Sequence, residues 1–372
     1  MRKIFLTLCF SLSIGLLHAQ EYIFTPVTDI EATEVKSQDI TGTCWSFSAT
    51  SFLESEIIRL TGKKINVSEM FNVRNTYSTK AWNYVMRQGK AQFSQGALGH
   101  DVINSVRQNG LVPETAFSGL VFNETRYNHI ELEGTLKAML DNYILSKSGN
   151  LSPKWKLAVE NVLDVYMGKK PSEFEYEGKT YTPESFLKMT KLNMDDYITI
   201  TSFTHQPYYQ SFILNIPDNF SNGAMLNVPL TDFTAIIDNA LKTGYTIEWD
   251  TDVSEKTFSA KYGIAFIPEN SGDALKGLKE IVSEKVITPE YRQQEFENYN
   301  TTDDHLMHIV GSLKDQNGTI YYKVKNSWGT NPNRVTNGGY VYVSKAYIEL
   351  KSISILIHKD ALPKDIKKKL GL

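Results

Sequence analysis

The strongest constraint on this chain is the segment Thr41-Gly42-Thr43-Cys44-Trp45, which runs directly into a helical pattern. Turn-forming Thr41, Gly42 and Thr43 precede apolar residues at Trp45, Ala49, Phe52, Leu53, Ile57 and Leu60, and Gly62 supplies a stop. A helix so apolar is largely buried, so the chain must assemble a core around it. Cys44 falls in the first turn, where unsatisfied N–H groups and the helix dipole favour the thiolate, the nucleophilic form of cysteine. The bland reading, a small buried hydrophobe, stays open at this stage.

The one other cysteine, Cys9, lies in a stretch that reads as an export signal. Met1-Arg2-Lys3 is basic, Ile4 to Leu17 is an apolar run of 14 residues, and Ala19 is the small residue a signal peptidase requires. Such a run is too short to cross a bilayer, which takes about 20 residues. Cleavage after Ala19 takes the net charge from −3 to −5 and leaves Cys44 as the single thiol of an exported, periplasmic or extracellular chain. No disulfide framework is then available. The composition, 41% hydrophobic and 22% charged, excludes a disordered or fibrous chain. The near-neutral balance provides no positive field to recruit nucleic acid or an acidic membrane.

A reactive cysteine needs a base, and the base needs an orienting group. His100, His129, His205 and His358 carry no accompanying pattern, whereas His305 and His308 lie in Asp303-Asp304-His305-Leu306-Met307-His308, an apolar run that reads as a strand. Strand positions three apart face opposite ways, so at most one of these two can meet the thiol. Gly318 to Lys325 reads as the return strand and delivers Asn326-Ser327-Trp328-Gly329. An Asn at a strand end can orient an imidazole while a neighbouring indole keeps water from that bond.

Together these segments resemble a papain-fold cysteine peptidase, whose nucleophile signature is C-G-[SA]-C-[WY]. Thr41 stands where that signature has its first Cys, and Thr43 where it has Ser or Ala. Asp304-His305-Leu306-Met307 resembles the family's histidine strand, and Asn326-Ser327-Trp328-Gly329 matches its asparagine motif. The resemblance implies Cys44 as nucleophile, His305 as general base and acid, Asn326 as orienter, and Trp328 as its cover. It implies Gln38, with the Cys44 backbone N–H, as the oxyanion hole. Gln95-Gly96-Ala97 is similar to the family's glycine-rich wall, so Gly96 and Ala97, with Asp304 and Trp328, are the expected substrate-binding positions. A simple loop before a helix is the equal alternative for Gly96 and Ala97.

From Cys44 to His305 is 261 residues. That exceeds the roughly 130 to 150 of papain-like chains by about 110 to 130, which requires an insertion. Only 24 residues of the expected mature chain precede Cys44, too few for a pro-domain. Both features resemble the bleomycin hydrolase and aminopeptidase C branch, as do Asn193-Met194-Asp195-Asp196-Tyr197, His205-Gln206-Pro207-Tyr208, Leu226-Asn227-Val228 and the run from Val324 to Leu370. The expected fold is α+β: a helical left domain over 20–123 after the signal at 1–19, a helical insertion over 124–192, and a β-rich right domain over 193–372. Helices are expected at 132–146, 154–167, 183–191 and 231–242, and right-domain strands at 196–201, 245–250, 263–267, 306–313, 320–325 and 339–343.

The implied activity is hydrolysis of peptide substrates through a thioester, as an aminopeptidase C-like exopeptidase. The chain closes before the terminal arm that restricts that branch to free amino termini, so an open cleft with endopeptidase or dipeptidase-like activity is the second reading. A Cys-His acyltransferase such as a transglutaminase usually orients its His with Asp, and a non-catalytic peptide-binding protein on the same fold would be expected to lose the Cys, His or Asn. The branch also implies a homo-oligomer, a hexamer. The acid pairs Asp195-Asp196 and Asp303-Asp304 lack ligand spacing, so no metal or other cofactor is expected.

Overall fold

A computed structural model describes residues 21–145 and 150–372; the expected export signal with Cys9, and Ser146 at the end of an expected helix, lie outside the described residues. The helices are α1 (Cys44–Thr61), α2 (Glu69–Met86), α3 (Gly99–Asn109), α4 (Ile130–Leu145), α5 (Lys154–Met167), α6 (Pro183–Thr190), α7 (Leu230–Lys242), α8 (Ala274–Gly277), α9 (Pro289–Glu297), α10 (Lys345–Lys351) and α11 (Lys364–Lys369). The strands are β1 (Thr25–Asp29), β2 (Phe174–Tyr176), β3 (Lys179–Tyr181), β4 (Tyr197–Thr201), β5 (Ser211–Ile213), β6 (Ala224–Asn227), β7 (Ile247–Thr251), β8 (Phe258–Ser259), β9 (Ile264–Ala265), β10 (His305–Lys314), β11 (Ile320–Lys325), β12 (Tyr340–Ser344) and β13 (Ser352–His358).

One large sheet runs in the order β5-β6-β4-β13-β7-β10-β11-β12-β9-β8, with β1 added against the far end of β10. Its pairs are antiparallel except β4 with β6 and β9 with β12. Two cores flank β10 because successive residues of a strand face opposite ways. Leu306 joins the core of α1, α2 and α3, whereas Met307 and Ile309 join the core under α7.

Three features depart from the sequence reading. β1 lies in the sheet and not among the helices of the left half, because its segment supplies an outer partner for Gly311 to Lys314. β13 lies outside the expected strands and sits centrally between β4 and β7. It is buried along its whole length, so no exposed face announces it. The inserted region is helical but interrupted by the β2–β3 hairpin. Its helices bury narrow stripes, Leu132, Leu136 and Leu140 on α4 and Trp155, Val159, Leu163 and Met167 on α5, into the same core as α2. Arg74 of α2 anchors α5 through Asp164 at 2.7 Å.

α1 begins at Cys44 after Thr43 and ends at Gly62, whose φ of 72° is the left-handed conformation that glycine adopts without a steric penalty. Phe52, fully buried at its centre, packs edge-on against Tyr197 with ring centres 5.5 Å apart, and against His308 at 6.2 Å. Truncating it would leave a cavity at the junction of the two cores. Phe52→Ala is therefore expected to cost about 3–5 kcal/mol, seen as a lower urea midpoint with the secondary-structure content retained.

Candidate active site

α1 lies along the start of β10, and its contacts advance residue by residue. The Leu306 N–H is directed at the Cys44 sulfur, Ser48 Oγ donates to Met307 O at 2.6 Å, and Ser51 Oγ meets His308 Nδ1 at 2.9 Å. Cys44, Ser48 and Ser51 share one helix face at the spacing i, i+4, i+7. Small hydroxyl residues on that face let the strand approach and pin the sliding register by directional bonds. The cysteine at the helix start is thereby set beside the histidine that opens the strand.

At that end of β10, His305 Nε2 bonds Asn326 Oδ1 at 2.7 Å. The same oxygen accepts the Ser327 N–H at 2.7 Å, which identifies it as the amide's acceptor. Nε2 must then carry the hydrogen, and Nδ1 is left as the ring's proton-accepting atom. Trp328 covers the pair, its ring centre 4.9 Å from that of His305 and tilted by 31°. Phe258 supports the indole from the side at 6.0 Å.

Gln38 joins the same cluster. Its backbone N–H donates to Ser327 O at 2.8 Å, and its side-chain oxygen accepts Ser327 Oγ at 2.6 Å. Its amide nitrogen donates to Thr41 O at 2.7 Å, which uses one of two hydrogens and leaves the second available. Thr41, in the position of the expected family cysteine, ties the turn by donating to Gln38 O at 2.7 Å. Gln95 joins the wall segment to this turn: its side-chain oxygen accepts the Gly42 N–H at 2.7 Å, and its carbonyl accepts Trp45 Nε1 at 2.9 Å. Ala97 is fully buried and offers its backbone alone, while Asp304 is exposed and accepts Thr302 Oγ1 at 2.8 Å. The space over Gly96 is filled by the Asp218 carboxylate, so a Cβ there would collide with a side chain of this protein.

Burial dominates the electrostatics. It pushes the Cys44 thiol up to about 12, against the opposing Leu306 and Trp45 N–H groups, and the negative fields of Asp303 and Asp218 add to the rise. It also drives His305 down to about 4 despite the bond to Asn326. The thiolate expected from the helix start is therefore not favoured by its surroundings alone, because desolvation outweighs the dipole.

Sequence reasoning passed over Ser327 as a ligand of Gln38, although it lies inside the quoted motif. It also missed a buried chain in which Lys325 Nζ reaches Ser51 Oγ at 2.8 Å and Thr33 Oγ1 at 2.9 Å. Strand alternation puts Lys323 and Lys325 on one face, yet Lys323 reaches the exposed Asp29 while Lys325 is buried. Nothing in the local sequence separates them. Asp218 stands about 170 residues from Cys44 in a loop with no motif and is brought to Gly96 by the sheet topology.

The model of the Peptidase C1-like family matches residues 160–371, and that of the papain family cysteine proteases matches residues 26–113. Aminopeptidase G of Lactobacillus delbrueckii subsp. lactis is 21% identical over 381 residues, spanning 91% of this chain and 84% of its own. Aminopeptidase C of Listeria monocytogenes is 21% identical over 390 residues, spanning 91% of this chain and 83% of its own. The crystal structure of PepW from Lactobacillus rhamnosis HN001 superposes with a TM-score of 0.75 at 18% identity, covering 93% of this chain and 84% of that one, and shows the papain-like fold. With a family model spanning more than half of its length, this chain belongs to the Peptidase C1-like family and is an aminopeptidase C-like cysteine peptidase.

Proposed function

We propose that the protein is an exported exopeptidase that removes amino-terminal residues from peptides through Cys44, His305 and Asn326. The observation that carries this reading is the bond from His305 Nε2–H to Asn326 Oδ1 beneath Trp328, which leaves Nδ1 as the basic atom at the end of β10 adjoining Cys44. Cys44 Sγ attacks the scissile carbonyl and passes its proton to His305 Nδ1. The developing oxyanion takes the second hydrogen of Gln38 Nε2 and the Cys44 backbone N–H, which has no intrahelical partner in the first turn. His305 then protonates the departing amine, a thioester remains on Cys44, and water deprotonated by His305 releases the acid.

Burial shapes how the thiolate arises. A thiol pushed up to about 12 by burial is almost wholly protonated at pH 7, and an imidazole driven down to about 4 is almost wholly neutral there. Moving one proton from Cys44 to His305 creates both charges at once, and their attraction in a poorly solvated site offsets the desolvation of each. The exopeptidase reading is favoured over an open-cleft endopeptidase by the loop that carries Asp218 against the wall at Gly96.

Cys44→Ala is expected to abolish peptide turnover while the fold persists; undiminished turnover sinks the assignment. His305→Gln should slow iodoacetamide alkylation of Cys44 at pH 7 by at least about 100-fold, with reactivity recovering only in strongly alkaline solution. Equal alkylation rates in the two proteins would mean that the thiol is activated without the imidazole. Asn326→Ala should lower kcat by about 10- to 100-fold, the worth of a hydrogen bond to a group that becomes charged. Export predicts that protein recovered from the native host begins at Gln20; an intact Met1 on cytoplasmic protein would contradict it.

A further inference from the structure

The loop between β5 and β6, residues 214–223, leaves the sheet and lies on the helical half of the molecule. Asn219 staples its base, accepting the Gly223 N–H at 2.7 Å and donating to Leu214 O and Gly223 O at 3.0 Å each. Its far side lands on α2 and α3: Ser221 Oγ meets His100 Nε2 at 3.0 Å, and the Phe220 ring lies 4.9 Å from the Lys80 ammonium. Between these anchors the Asp218 carboxylate rests on the Cα of Gly96 and accepts Gln92 Nε2 at 2.8 Å.

Asp218 has no direct ion-pair partner among the described residues. Lys80 donates to Gly96 O and lowers the carboxyl only through space, while burial raises it. A second carboxylate stands close by. Asp303 feels Asp218, receives a hydrogen bond from Asp250, and keeps Oδ2 buried without a partner. Glu248 and Asp250, opposite His308 and Leu306 on β7, are buried on the face of the sheet that meets α1 and α3, and each also has an oxygen without a partner. The fields of both Asp218 and Asp303 reach Cys44. Burial raises all four carboxyls and so holds them toward their neutral forms, and a cation placed beside Asp218 and Asp303 would favour the ionised form of that pair.

We propose that Asp218, backed by Asp303, receives the free α-ammonium of the substrate, and that the β5–β6 loop thereby sets the length of peptide admitted before the scissile bond. The proposal rests on the aminopeptidase reading above. An ammonium at Gly96 would donate a charge-assisted hydrogen bond to the Asp218 carboxylate, while the loop occupies the path a longer chain would take. The bound cation would also cancel the negative field that adds to the burial penalty at the Cys44 thiol, so the substrate itself would ease formation of the nucleophile.

The test compares kcat/KM for an aminoacyl coumarylamide with that for its N-acetylated twin. The native enzyme should prefer the free amine strongly. Asp218→Asn should reduce that preference by about 10- to 100-fold, and Asp218→Glu, which keeps the charge, should retain most of it. A native enzyme indifferent to acetylation would overturn the aminopeptidase reading itself. A native preference that survives in Asp218→Asn would overturn the role of Asp218 alone. Loss of preference in both variants at an unchanged melting temperature would make Asp218 a packing element of the loop, and would also overturn the proposal.

Discussion

The alignment of α1 along β10 is the contact on which the site depends. Leu306 N–H at Cys44, Met307 O at Ser48 and His308 at Ser51 are successive steps of one strand meeting one helix face. A helix rises 1.5 Å per residue and a strand about 3.3 Å, so the seven steps from Cys44 to Ser51 advance about 10.5 Å while the two from Leu306 to His308 advance about 6.6 Å, and side-chain reach spans the difference. The hydroxyls of one helix face thereby make two hydrogen bonds, from Ser48 and Ser51, beside the approach of the Leu306 N–H to Cys44. A slip by one strand residue would break all of them and turn the opposite face of β10 toward the helix. The position of the sulfur relative to His305 is therefore set by directional bonds from residues that take no part in the chemistry.

The histidine is fixed by similar means. Asn326 Oδ1 accepts from both His305 and Ser327, so the amide cannot rotate without leaving the Ser327 N–H unpaired. Ser327 in turn holds Gln38 through both its carbonyl and its hydroxyl. Three positions that are far apart in sequence, 38, 305 and 326, thus share one short loop as their common support. Trp328 keeps water from the imidazole–amide bond, and the same exclusion accounts for the depressed basicity of His305.

Much of this was legible in the sequence because the residues of the proposed chemistry sit at element boundaries. Cys44 opens a helix, His305 opens a strand and Asn326 follows one, and turn residues or motif neighbours mark each place. β4, β7, β10, β11 and β12, together with α4 to α7, fall close to their expected spans; β7 and β10 do so although both faces are buried, because turn residues or motif neighbours bound them. β13 was illegible because burial on both faces erases alternation and it follows α10 directly, with no Gly or Pro to mark where it begins. The opposition to the thiolate was hidden for a related reason: a helix start can be read from sequence, but the desolvation that raises the Cys44 thiol depends on packing from the other half of the molecule. Asp218 was hidden because its role follows from where a long loop lands.

Behind α1 the structure places a charged interior where an apolar one would pack more simply. Lys36 lies 2.9 Å from both Glu69 and Glu114, Glu54 accepts the Val67 N–H at 2.7 Å, and Lys325 bonds Thr33 and Ser51. A cavity of about 20 Å³ remains among these groups, room for about one water. Desolvating such charges costs several kcal/mol per ion before their attraction returns it, so the network is a poor source of net stability. Its value lies in direction. Ser51 accepts from Lys325 and therefore turns its own hydrogen toward His308 Nδ1, which orients that ring, while burial and the Lys325 charge keep it neutral. The third step of the α1–β10 register is thus held by a lysine that the motif does not include. An apolar replacement of equal volume would fill the space while leaving Ser51 free to rotate, and the alignment of Cys44 with β10 would lose one of its three supports.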